Sequence, residues 1–144
     1  MRFQGTKNFK IEELEASRIA KIHKIDNTIP DKYMSNAENL LKFLQGIRDA
    51  WGSGIRISSG YRCQRLNRLV GGVASSAHTT ANAADLVPIN GKMEDFKKFM
   101  VTYLANKRFD QCIIERKGST EWIHVGFKNN YGMQRHQIFK MNVS

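Results

Sequence analysis

The sequence predicts an α+β domain: a small antiparallel sheet with helices packed on it. Three observations predict it. Apolar residues recur at helical spacing over 37–50 and again over 93–104. Four short segments, 55–58, 83–87, 111–115 and 122–127, alternate or run apolar at strand length and end in turn residues. The last two are joined by a hairpin-length turn, Lys117-Gly118-Ser119, which favours antiparallel pairing. No repeat, low-complexity tract or long linker divides the chain, so residues 1–144 read as one domain, long enough for a core without staples.

Taken in order, residues 8–16 read as a short helix with Ile11 and Leu14 on one face, and 17–34 are mixed, with an extended or turning chain around Pro30. Ser35 and Glu38 have capping-box spacing. The helix behind them carries Ala37, Leu40, Leu41, Phe43, Leu44, Ile47 and Ala50, is finished by Trp51, and is stopped by Gly52 and Gly54. Strand 55–58 follows. A short helix over 64–70 is closed by Gly71-Gly72, and a loop leads to strand 83–87, which Pro88 ends. The helix from Lys92 to about Asn106 has Met93, Phe96, Phe99, Met100 and Leu104 on its apolar face. Beyond strand 122–127 the tail, 128–144, is polar and basic, with Ile138 and Phe139 placed to dock back.

The apolar fraction of 41% and charged fraction of 25% are those of a globular protein. No apolar run reaches the ~20 residues of a membrane span. The first residues, Met1 to Asn8, lack an apolar signal region, so we expect synthesis in the cytoplasm and release by another agent for any action outside. The net charge of +10 suits an anionic surface such as a cell envelope. Without a phosphate loop or nucleic-acid motif, nucleic acid is not expected as a partner. Cys63 and Cys112 form no CxxC pair and read as free thiols.

The chemistry lies in Ser76-Ala77-His78-Thr79-Thr80-Ala81-Asn82-Ala83-Ala84-Asp85 and in Glu121-Trp122-Ile123-His124. Asp85 interrupts an apolar strand, where a carboxylate is costly unless paired or bound to metal. Alternation sets His124 on the opposite face from Ile123 and Val125. Two imidazoles and one carboxylate on neighbouring strand ends make a catalytic zinc set, His78, Asp85 and His124, with one open position. Glu121, three before His124, is the favoured base, although residues three apart in a strand face opposite ways and the pair needs a bulge. Glu115 is the rival.

These residues resemble the zinc D-alanyl-D-alanine carboxypeptidase and D,D-dipeptidase family, in its single-domain branch near the phage L-alanyl-D-glutamate endolysins. The likeness extends to Asn8-Phe9-Lys10-Ile11-Glu12-Glu13-Leu14, Ile55 to Arg62, Leu66 to Gly72 and Phe109-Asp110-Gln111, and covers about 8–127. The resemblance implies the fold shared with the hedgehog signalling domain and one zinc ion on His78, Asp85 and His124. It also implies Glu121 as base, Arg62 beside the scissile carbonyl, Ser76 and Gln111 at the substrate, and Asp110 and Gln111 behind the ligands. Ala81 departs from the family, which usually has Gly there, and would be strained if the loop needs a positive φ.

The expected function is zinc-dependent hydrolysis of amide bonds in peptidoglycan stem peptides by a monomer, as an endolysin-like endopeptidase or a D,D-carboxypeptidase. The rival reading is a zinc-stabilised binding domain of the same fold without catalysis.

Overall fold

The computed structural model describes residues 2–143. The expected α+β class is observed, with one difference in the sheet. Helix α1 (Ile11–Glu15) and helix α2 (Arg18–Ile22) precede a 3-10 turn (Asp31–Tyr33) and the long helix α3 (Met34–Trp51). Strand β1 (Ile55–Ser59), helix α4 (Gln64–Leu69), a second 3-10 turn (Ala77–Thr80) and strand β2 (Ala83–Pro88) follow. Helix α5 (Met93–Leu104) leads to the hairpin β3 (Gln111–Lys117) and β4 (Thr120–Gly126), and strand β5 (Gln137–Asn142) closes the chain. No helix among the described residues is long and apolar enough to cross a membrane.

The sheet order is β1-β2-β4-β3-β5. The first four strands pair antiparallel, as expected, but β5 runs parallel to β3, so the sheet is mixed. The sequence reading left β5 in the tail. An ion pair on a buried carboxylate recruits it: Asp110, just before β3, takes hydrogen bonds from Arg135 N, Nε and Nη2 at 3.1, 2.7 and 2.8 Å. The backbone then zips from His136 N to Phe109 O and from Gln137 N to Asp110 O. Ile138 turns toward the core, whereas Phe139 stays on the open side.

The helices start differently from the sequence reading. The stretch read as one helix over 8–16 is α1 alone. It is capped by the Glu13 carboxylate on Lys10 N–H at 2.6 Å, and α2 lies in the stretch left as mixed. Ser35 caps nothing. The 3-10 turn behind Pro30 carries the chain into α3 two residues earlier than a Ser35 cap would, at Met34, leaving Ser35 inside the helix.

Pairing fixes which residues share a face. Ala84, Leu86, Cys112, Ile123 and Val125 face α3 and α5, whose stripes (Leu40, Leu41, Leu44, Ile47; Phe96, Met100, Leu104) are buried with them. Burial there pushes the Cys112 thiol up to about 12, so it is an inert free thiol. The opposite face carries Asp85, His124, Ile113 and Glu115.

Arg135→Ala should leave the Asp110 carboxylate buried without its cation, a loss of about 2 kcal/mol in urea unfolding at neutral pH. Burial raises the Asp110 pKa, but the Arg135 bonds and charge outweigh it and hold the carboxyl below its usual value. The stability this gives is present above the unfolded pKa of about 4 and is lost as pH falls through the native value. The gap between wild type and variant should therefore close in acid, and a gap that persists there would assign the effect to lost packing instead.

Candidate metal centre

The centre forms where β2 and β4 meet the end of β1. In register, Asp85 stands directly opposite His124, and Ser59 opposite Asp85. The β1–β2 ladder shifts between Ile57 and Ser59, a bulge that re-aims the chain leaving β1. Gly60-Tyr61-Arg62 then lies beside the 3-10 turn that carries His78. The two segments pin each other: Arg62 N–H donates to His78 O at 3.0 Å, and His78 Nδ1 bonds Gly60 O at 2.6 Å.

This arrangement depends on small residues and buried amides. An added Cβ at Gly60 would sit 2.6 Å from the Leu14 backbone, and Tyr61 N–H donates to Leu14 O at 2.7 Å, so α1 forms the floor under the β1 end. Asn27, 7% exposed, donates to Glu15 O and Tyr61 O and accepts from Cys63 N–H. Ser76 Oγ accepts from His78 N–H at 3.3 Å and starts the turn, so its observed contact is structural. Ala81 closes the turn at φ 61, fully buried. The positive φ that the departure from Gly called into question is thus required. Ala bears it at about 1 kcal/mol, partly offset by burial of its methyl group.

His78 Nε2 lies 3.3 Å and His124 Nδ1 3.2 Å from Asp85 Oδ1. All three donor atoms fall within 4.8 Å of one another. Burial depresses the His78 pKa, against the pull of Asp85, and favours the neutral ring. With its proton on Nδ1 toward Gly60 O, that ring turns the Nε2 lone pair at a carboxylate oxygen. Burial alone would raise the Asp85 pKa, but the charges and hydrogen bonds of the two histidines outweigh it and keep the carboxyl well below the usual range. Two imidazole nitrogens and a carboxylate oxygen that converge on one point form a candidate cation site. Two nitrogens and one oxygen fit a divalent ion such as zinc with an open fourth position. His124 Nε2 faces away, toward Gly126. A Cβ there would lie 3.8 Å from Nε2 and 3.9 Å from Asp110 Oδ2, so the ring and the carboxylate both border Gly126.

The expected base is not at this centre. The β3–β4 ladder runs without a bulge from Gln111↔Gly126 to Lys117↔Thr120, so Glu121 shares the helix-packed face with Ile123 and Val125. Its carboxylate is paired to Lys97 of α5 at 2.7 Å. The bulge that Glu121 needed is absent. Glu115, the rival, is on the metal face, diagonal to His124, and its Oε1 accepts from Trp122 Nε1–H at 2.8 Å. Arg62 is on the same side. Burial lowers its pKa while Asp85 and Glu115 raise it, and its Nε has no hydrogen-bond partner. Gln111 is on the metal face but bonds Gln137 of β5 at 2.9 Å. A groove of about 330 Å³ leads from Asp85 and Arg62 past Ser58 and Tyr61 to Ile19 and Val70. Sequence reasoning missed the Gly60 carbonyl, Asn27 and the Trp122 indole. Only Trp122 carried a signal, as the strand alternation sets it on the His124 face.

Zinc at a hundredfold over its Kd should stabilise the folded protein by about 2.7 kcal/mol, read as a rise in thermal midpoint. Asp85→Asn, nearly the same shape, should remove that rise. An equal rise in the variant would place the ion elsewhere.

No curated protein matches the chain. The family model for Peptidase M15 matches residues 7–126 and so spans all three candidate ligands together with Arg62 and Glu115. The chain therefore belongs to the M15 peptidase family, the zinc carboxypeptidase and dipeptidase group that its motifs resemble.

Proposed function

We propose that this chain is a zinc peptidase that hydrolyses amide bonds in the stem peptides of peptidoglycan. The convergence of His78, Asp85 and His124 on one point, with Arg62 and Glu115 beside it, is the observation that supports the reading most. Zinc, when bound, supplies Lewis-acid polarisation of the scissile carbonyl and acidifies water. Glu115 is the proton carrier: it takes the proton from the attacking water and returns it to the leaving amine. The Trp122 indole holds one of its oxygens and leaves the other for this work. Arg62, half-buried and with its Nε short of a partner among the described residues, offers its charge to the oxyanion as it develops. The groove receives one arm of the peptide, with Ser76 and Gln111 as outer contacts.

An endopeptidase and a carboxypeptidase would use the same centre. The single-domain endolysin-like reading rests on the motifs quoted above, and the charge of +10 favours approach to an anionic envelope. A zinc-stabilised domain without catalysis is the competing reading, and the placement of Glu115 and Arg62 weighs against it.

Digestion of purified sacculi followed by mass spectrometry of the released muropeptides reads both cleavage and the bond cut. Glu115→Gln should keep its zinc and lose at least about a hundredfold in rate. Glu121→Gln should stay within a few-fold of wild type. The reverse pattern would restore Glu121 as base. Zinc-loaded wild type that releases nothing would favour the binding domain.

A further inference from the structure

The face built by α2 and α4 stands apart from the rest of the surface. Ile19 and Ile22 lie one helical turn apart on α2, and Leu69, Val70 and Val73 follow at the end of α4. All five are exposed, and Ile22 and Val73 project furthest, at 64% and 68%. Two grooves join the segments: Ile19 and Val70 line one, and Ile25 lines a second with Arg65, Arg68 and Leu69.

The charge on this face is predominantly positive, with the exposed Asp26 at its border. Residues 17–25 and 63–74 contain Arg18, Lys21, Lys24, Arg65 and Arg68 and no Asp or Glu. All five cations are exposed, and none joins an ion pair among the described residues. What sets these five apart is that they surround exposed aliphatic side chains, whereas Lys42 is matched by Glu38.

We infer that the α2–α4 face docks on an anionic lipid bilayer. Projecting aliphatic side chains ringed by unpaired cations suit an interface in which acyl chains lie beneath phosphate headgroups. A second copy of the chain would set five positive charges against five. A nucleic acid would leave Ile22 and Val73 without an apolar medium. A folded acidic partner would need cavities matched to side chains that stand out from the surface, whereas lipid deforms around them. Because Ile19 and Val70 belong both to this face and to the groove from the metal centre, docking brings the outer end of that groove to the membrane surface. The inference is independent of which bond the enzyme cuts.

Co-sedimentation of the zinc-loaded protein with phosphatidylcholine vesicles, and with vesicles of equal parts phosphatidylcholine and phosphatidylglycerol, tests it. Binding should require phosphatidylglycerol and weaken as salt rises. The pair R65Q/R68Q should lower the partition coefficient roughly thirtyfold, and the pair I22S/V73S by at least about tenfold. These positions are exposed and outside the catalytic centre, so thermal midpoints and zinc affinity should match wild type and certify the fold. A K92Q/K98Q control, two exposed lysines of α5 and its N-cap that join no ion pair among the described residues, should bind like wild type. Absence of binding to anionic vesicles, or equal loss in the α5 control, overturns the proposal. So does full binding by I22S/V73S, since charge alone would then account for it.

Discussion

Asp85 and His124 oppose each other across two antiparallel strands, and the centre depends on that register. A slip of one residue would send either side chain to the helix face and bring Leu86 or Ile123 to the open one. The register is held by the core. Ala84, Leu86, Ile123 and Val125 have no place outside the layer under α3 and α5. Apolar burial on one face thus fixes the position of polar chemistry on the other, and a carboxylate tolerated in an apolar strand is the visible result.

The third candidate ligand arrives by a different route. His78 comes from a 3-10 turn and not from the sheet, and its position is only as good as the support beneath it. That support runs from Leu14 through the close approach at Gly60 to the imidazole Nδ1. Asn27 ties the same segment to α1 by three hydrogen bonds. Buried amide groups and a residue without a side chain thereby set which histidine nitrogen stays free for a cation.

Much of this was legible in the sequence, because helical and strand periodicity are local signals. The stripe of α3, the four antiparallel strands and the grouping of His78, Asp85 and His124 as a candidate site were readable from residue spacing. The misses were non-local. Nothing near residues 137–142 announces a parallel edge strand, since β5 is recruited by Asp110 and Arg135, far apart in the chain. The start of α3 was set by Pro30 and the 3-10 turn rather than by Ser35. Which face Glu121 takes depends on whether the hairpin holds a bulge, and spacing alone cannot answer that. Strand alternation already weighed against Glu121, and the regular ladder follows alternation. At Ala81 the departure from Gly marked the left-handed residue correctly, because only backbone geometry explains a Gly at that place.

X-ray absorption at the zinc edge of the metal-loaded protein examines the ligand set itself. The account predicts two imidazole nitrogens and light oxygen neighbours at about 2.0–2.2 Å, with the imidazole signal reduced by half in His124→Ala. A sulfur neighbour near 2.3 Å, or a spectrum unchanged by loss of His124, would contradict it.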